Sequence, residues 1–288
     1  MIRLVDPEAF RADSRERWER AAAGWGAARA AMQAAAEPVS RWLLDAVDPQ
    51  PGQTMLELAA GPGDSGLMAA QRVGPSGRAI VTDFADAMVA LAGARARELG
   101  LDNVEARQME AEWIDLSAAS VDGVLCRFGY MLLADPEAAL RETRRVLRPS
   151  GRVALAVWDT PAHNPWLAVM GREAVRAGVY PPPDPAAPPE PGPFALAQPG
   201  QVEELLLATG FDDVLLDAVE LTFEADSLDT WWEQLSTTSG RLIDALQRLA
   251  PADHYALRDA VDAAYAPWVG EDGRVSVPGR ALVAAASA

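Results

Sequence analysis

The run Gly61-Pro62-Gly63-Asp64-Ser65-Gly66 sets three glycines at G-x-G-x-x-G spacing, and Asp83 follows Gly63 by 20 residues. Glycines so placed let a backbone turn approach a ligand closely, and a carboxylate at that offset accepts hydrogen bonds from ribose hydroxyls. Taken alone, the pair fits a nicotinamide dinucleotide as well as other adenosine cofactors. Glu57, four residues before Gly61, bears on that choice. An anion on the strand leading into the turn is unfavourable beside pyrophosphate unless a cation offsets it. The chain has no lysine, all 25 of its basic residues being arginine. A phosphate-free cofactor with adenosine at one end and a cation at the other fits these residues better.

The missing lysines also remove the usual phosphate-loop chemistry, Schiff bases and a lysine-assisted dehydrogenase base. Cys126 is the single cysteine, and His163 and His254 are the only histidines, so one chain assembles neither a disulfide framework nor a thiolate or imidazole zinc cluster. Carboxylate-bound magnesium stays open, although no metal ligand set is identified. A formal charge of −17 speaks against a nucleic-acid partner, which requires a basic surface. Charged residues interrupt every apolar run before it reaches membrane-spanning length, and the start of the chain shows no export signal. A reduced, cytoplasmic, soluble protein is the expectation, and the sequence fixes no oligomeric state.

These residues need elements to hold them. Thr54 to Leu58 reads as a buried strand entering the glycine turn. Helices near 64–73, 86–99 and 135–147 then alternate with strands at 78–82, 103–107, 121–126 and 151–158. Such alternation predicts a Rossmann-like α/β fold: a mostly parallel seven-stranded sheet with helices on both faces. One or two helices over residues 8–47 precede it as a helical cap spanning 1–48. The cofactor-binding core is assigned to 49–159. A substrate and lid region spans 160–272, with helices near 164–178, 200–209 and 227–267 and a late core strand near 213–223. The final strand, at Arg280 to Ala284, falls in 273–288. In 181–193 eight of thirteen residues are proline, too many for a helix or a central strand.

Several of these motifs together resemble the class I S-adenosylmethionine-dependent methyltransferases, in the style of the ubiquinone and menaquinone biosynthesis enzymes. The resemblance spans residues 40–160, and S-adenosylmethionine carries a ribose, a sulfonium and an ammonium but no phosphate. Met55 to Gly63 looks like the family's first motif, with Ala59 where a glycine is usual. The resemblance places Glu57, Ala59, Gly61 and Gly63 around the cofactor and assigns Asp83 to its ribose. It sets Phe84 and Met88 beside the adenine, with Glu110 and Ala111 in the acidic turn Glu110-Ala111-Glu112 that reads the adenine edge. Glu110 stands where aspartate is more frequent. Val124 to Tyr130 and Ala138 to Val153 look like the fourth strand, its helix and the turn into the fifth, and Arg127 is included with the cofactor-binding residues.

Simpler readings stand beside these. Asp64 and Asp86 read as helix N-caps, and Cys126 as a packing residue. Glu57 also suits a buried acceptor for the amides of the following turn. The series Trp18, Trp25 and Trp42 is either helix packing or a cover over the site. Ligands in open α/β sheets bind beyond the carboxyl ends of the strands, which brings in Arg127 to Tyr130 and Trp158 to Trp166. His163, a candidate general base, and Tyr130 are the expected catalytic residues; His254 with Tyr255 form a second pair. The implied activity is methyl transfer to oxygen or carbon of a small, partly apolar molecule. A nicotinamide oxidoreductase and a non-catalytic cofactor-binding protein are the alternatives.

Overall fold

The computed structural model describes residues 6–182 and 190–288. Its first element, α1 (Pro7–Val47), is a single helix of 41 residues. Asp6 caps it by accepting from the Ala9 amide at 3.0 Å, and Pro7 occupies the first turn, where a missing N–H costs nothing. The alanine-rich sequence sustains the helix through Pro38, and Asp48 ends it in the left-handed conformation.

From there strand and helix alternate as β1 (Thr54–Glu57), α2 (Asp64–Val73), β2 (Arg78–Asp83), α3 (Asp86–Glu98), β3 (Val104–Gln108), β4 (Val121–Arg127), α4 (Pro136–Val146) and β5 (Leu147–Trp158). The chain continues through α5 (Pro165–Arg176), α6 (Gln201–Ala208), β6 (Asp212–Ala225), α7 (Leu228–Thr238), α8 (Gly240–Leu246), α9 (Pro251–Tyr265) and β7 (Val275–Ser287). The sheet order is β3-β2-β1-β4-β5-β7-β6, with β7 antiparallel to both of its neighbours. This is the expected mostly parallel, seven-stranded, Rossmann-like sheet. Order reverses at β1, with β2 on one side and β4 on the other, and ligands of open α/β sheets bind beyond the carboxyl ends of such a pair.

Leu56, Val124, Leu125, Val153 and Ala156 of the central strands are fully buried, as parallel strands covered on both faces require. Val39, Leu43 and Leu44 from the last turns of α1 join the same core. The final strand begins at Val275, earlier than its sequence suggests, because Pro278 and Gly279 sit within it opposite Thr222 and Leu221 of β6. Of the proline-rich stretch, residues 183–189 lie outside the described residues. Among the described residues, no helix is long and apolar enough to cross a membrane.

Candidate functional site

The turn from β1 into α2 is fixed from below by Glu57. Its buried carboxylate accepts from the Ser65 hydroxyl and from the Gly66 amide at 2.9 Å. Burial pushes the Glu57 carboxyl up to about 7, against the opposing pull of the Ser65 bond and Arg127. The reading of Glu57 as a buried acceptor for the turn therefore has direct geometry behind it. Gly66 must lack a side chain, since a β-carbon there would stand 2.4 Å from a Glu57 oxygen. Asp83 ties the end of β2 to the same turn, accepting from Gly61 at 2.9 Å and from Ala85 at 3.0 Å. Burial raises this carboxyl to about 6. Ala59, Gly61 and Gly63 all have positive φ, at 49°, 55° and 84°. Glycine adopts that conformation freely and alanine does not.

The N-terminal part of α1 runs over these carboxyl ends. Arg29 binds Asp64 at 2.8 Å, and Arg127 approaches the other Asp64 oxygen at 3.7 Å. Arg127 also donates to Gln33 and Ser40 of α1, both at 2.8 Å. Farther along, Ala22 packs with Ala85 and Met88, flanked by Trp18, Trp25 and Phe84. Arg15 lies over the Phe84 ring and pairs with Glu110, while Arg11 pairs with Glu112. Ala111, between the two acids, is buried. The expected cofactor residues thus gather along one edge, and α1 lies across it. Open depressions of about 690 and 500 Å³ lie elsewhere, around the amino ends of β2 and β3 and beside α3.

Some side chains differ from expectation. Tyr130 is a core residue: it is buried, its hydroxyl is 2.6 Å from that of Thr143, and burial holds its phenol well above the ordinary range. So placed it fastens the turn after β4 onto α4 and has no accessible group to act as a catalyst, correcting the catalytic expectation. Asp64 does not cap α2, whose N-cap is Gly63; it serves the arginines instead. Asp86 does not cap α3 either. Glu19 of α1 reaches across and accepts from the Asp86 and Ala87 amides at 2.6 and 3.0 Å. Cys126 is buried among apolar side chains, its thiol pushed up to about 12 by burial, in keeping with a packing role.

Beyond β4 and β5 the aromatic residues pair off. Phe128, held at φ 65°, stacks on Trp158 with centroids 3.7 Å apart. Trp166 stacks on Phe223 at 3.9 Å and meets Trp158 edge-on. His163 is half exposed, with Nδ1 2.9 Å from the buried Asp159 carboxylate. The loop carrying it is clamped by Asn164, which is fully buried and bonds the Asp159 and Arg280 backbones. His254 lies edge-on to Trp232, and Tyr255 is exposed. Sequence reasoning missed Arg11, Arg15, Arg29 and Gln33. Their signal is visible in retrospect, since 11, 15, 18, 22, 25, 29 and 33 follow one helical stripe.

Residues 55–151 match the family model described as a methyltransferase domain. Nocamycin O-methyltransferase of Saccharothrix syringae is 32% identical over 228 residues, covering 75% of this chain and 80% of that one. Ubiquinone/menaquinone biosynthesis C-methyltransferase UbiE of Enterobacter sp. (strain 638) is 33% identical over 126 residues, covering 43% of this chain and 50% of that enzyme. The chain therefore matches only half the length of this second relative. Among solved structures, the YcgJ protein from Bacillus subtilis aligns with a TM-score of 0.56 at 19% identity, covering 86% of this chain and 97% of that one, a likeness of fold. With a nocamycin O-methyltransferase relative matched over four-fifths of its length and the glycine turn, Asp83 and the acidic turn gathered at one sheet edge, the chain belongs to the S-adenosylmethionine-dependent methyltransferases.

Proposed function

We propose that the chain methylates oxygen or carbon of a small, partly apolar acceptor seated beyond the carboxyl ends of β4 and β5. The observation that carries this reading is the aromatic cluster of Phe128, Trp158, Trp166 and Phe223, in which Phe128 is partly exposed and the other three are buried behind it. Its front residue, Phe128, is kept in a backbone conformation that L-residues with bulky side chains avoid. Two relatives are named for O-methylation of nocamycin and for C-methylation in ubiquinone and menaquinone biosynthesis, which supports oxygen or carbon as the acceptor atom. The net charge of −17 disfavours a nucleic-acid acceptor. A cytoplasmic location belongs to the same proposal, as does the division into a cap (1–48), a cofactor core (49–159), a substrate region (160–272) and a last strand (273–288).

The donor set suits a cofactor that is cationic and free of phosphate: Glu57 and Asp83 are buried acids, and Arg127, the arginine that acts on Glu57, also approaches Asp64. Asp83 would hold the ribose, and the backbone of Ala59, Gly61 and Gly63 the amino-acid portion together with Glu57 and Arg127. Phe84, Met88, Glu110 and Ala111 would line the adenine. When bound, S-adenosylmethionine supplies an electrophilic methyl carbon. The chain's task is then to align the acceptor in line with it and exclude water, contributions that rest on positioning. Asp83→Asn is expected to weaken S-adenosylhomocysteine binding about tenfold to hundredfold in calorimetric titration, because a charged acceptor is replaced by a neutral amide.

For a hydroxyl acceptor, His163 is the proposed base. Asp159 fixes its Nδ1, and Nε2 would take the hydroxyl proton as the acceptor oxygen gains the methyl carbon and the bound sulfonium loses its bond to that carbon, leaving as a neutral thioether. His163→Ala is expected to lower turnover about a hundredfold with little change in cofactor affinity. Wild-type turnover with the physiological acceptor removes the residue from the mechanism. The function itself is tested by incubating the protein and methyl-labelled cofactor with separate small-molecule, protein and nucleic-acid fractions. Label is expected in the organic-extractable small molecules; label confined to protein or nucleic acid overturns the proposal.

A further inference from the structure

Asp159, the residue after β5, is buried, and its Oδ1 accepts from the Thr160 amide at 2.6 Å. Its other oxygen, Oδ2, has two cationic or potentially cationic neighbours: His163 Nδ1 lies 2.9 Å away and Arg280 Nε 3.3 Å away. Register brings the arginine there. Strand β7 runs antiparallel to β5 with Ala281 opposite Trp158, and the Asp159 amide donates to the Arg280 carbonyl at 3.0 Å. On the far side, the cross-strand neighbour Glu220 of β6 sets a carboxylate oxygen 3.5 Å from the same Nε. Among the described residues Asp159, His163 and Arg280 make no other ion pair, and the Thr160 hydroxyl, 3.3 Å from Nδ1, completes the polar neighbours of the imidazole.

A buried carboxylate needs a counter-charge. Were His163 the sole partner of Asp159, that counter-charge would be the imidazolium, and a base that already carries its proton cannot take another. Arginine is always charged, so Arg280 balances Asp159 while the imidazole stays neutral. Its Nε is buried and forms no hydrogen bond to either carboxylate, so the arginine acts through its charge rather than through a fixed bond. With the ring neutral, Asp159, Glu220 and Arg280 together carry one net negative charge; when the ring gains a proton, the four groups are balanced. Such a set draws a proton in without holding one in advance.

We propose that Arg280 is a positioning residue for methyl transfer: it supplies the counter-charge of Asp159, so that His163 stays unprotonated and free to take the hydroxyl proton of the acceptor. The inference rests on the reading of His163 as the base. It adds β7 and β6 to the elements that set up the reaction, through side chains that act on the imidazole by way of Asp159. The proton taken at Nε2 returns to solvent after the product leaves, since His163 is half exposed.

The chain has only two histidines, so the full-length protein saturated with S-adenosylhomocysteine gives two imidazole Cε1–H resonances to follow by NMR against pH, with His254→Gln assigning them. Arg280→Gln is expected to raise the His163 titration midpoint by about one pH unit, and Glu220→Gln to lower it by about 0.3, the smaller effect following from the exposure of that carboxylate. The His254 midpoint is expected to stay put in both. An arginine that only braces the loop gives no such opposed pair of shifts. An unmoved or lowered His163 midpoint in Arg280→Gln overturns the proposal. Should that variant not fold, a midpoint that does not fall in Glu220→Gln overturns it equally. In the methyl-labelling assay on the organic-extractable fraction, Arg280→Gln is expected to be about threefold slower at pH 7 and to recover by pH 9; a loss that persists at pH 9 also overturns it. Failure of His163 as the base has a different signature: His163→Ala turns over at the wild-type rate, whatever the midpoints.

Discussion

Glu57→Gln is expected to be more stable than the wild type at pH 8, less stable at pH 4, and to bind S-adenosylhomocysteine more than thirtyfold more weakly. Folding takes this carboxyl from its ordinary 4.5 to about 7 because burial penalises the charged form. A group whose pKa rises on folding gives full stability below its unfolded pKa, and that stability is lost as pH climbs to the folded pKa. Between 4.5 and 7 the wild type therefore loses about 3 kcal/mol, at roughly 1.4 kcal/mol per unit of pKa difference. Glutamine is neutral throughout and escapes this loss. It offers one acceptor oxygen to two donors, Ser65 and the Gly66 amide, which costs about 1 kcal/mol at every pH.

The two effects cross near pH 5, and urea unfolding of the empty protein at pH 4 and pH 8 reads the crossing. A difference of constant sign would show that the Glu57 carboxylate is not destabilising in the folded protein. The binding loss has a separate origin. A buried anion that is costly in the empty turn becomes favourable once a cation arrives, so cofactor affinity in the wild type should rise as pH increases through 7. In Glu57→Gln that rise should be reduced to the smaller contribution of Asp83, whose carboxyl lies at about 6. A residue that weakens the empty protein while serving the bound one is the signature of a site.

How much was legible in the sequence follows from how local each feature is. The glycine turn and Asp83 occupy contiguous stretches whose backbone demands are written in their own residues, and the structure brings Asp83 to Gly61 as the spacing suggests. Alternating strands and helices from 54 to 158 were readable for the same reason. What was not readable depends on partners far away in the chain. The stripe from Arg11 to Gln33 announces a helix face, but only the fold reveals that the face meets Asp64, Glu110 and Glu112. Asp64 and Asp86 look like caps because aspartate at a helix start usually is one. Here an acid 67 residues from Asp86 takes the capping role. Tyr130 sits where the chain passes the site, yet Thr143 on the next helix draws its hydroxyl into the core.

Gly129→Ala is expected to cost about 2–3 kcal/mol of stability and to weaken cofactor binding at least tenfold, with part of both losses restored by Ala59→Gly. Gly129 has φ −94° and ψ −50°, a conformation any residue adopts, so glycine is needed there for space alone. An added β-carbon would stand 2.6 Å from the Ala59 β-carbon and 2.6 Å from the Cys126 sulfur, both within a packed interior that yields little. Relief has to come partly from the turn, because Ala59 is already held at φ 49°, about 1 kcal/mol above its preferred conformations. Ala59→Gly alone is expected to be near neutral, gaining that strain back and losing a similar amount to backbone entropy. Combined with Gly129→Ala it removes one of the two clashes and leaves the sulfur, so unfolding free energies should show a coupling of at least 1 kcal/mol. Additive losses would mean that the two loops do not share the space. This chain carries a methyl at position 59 and leaves the facing position 129 bare, and the close approach of the two loops depends on that one missing side chain.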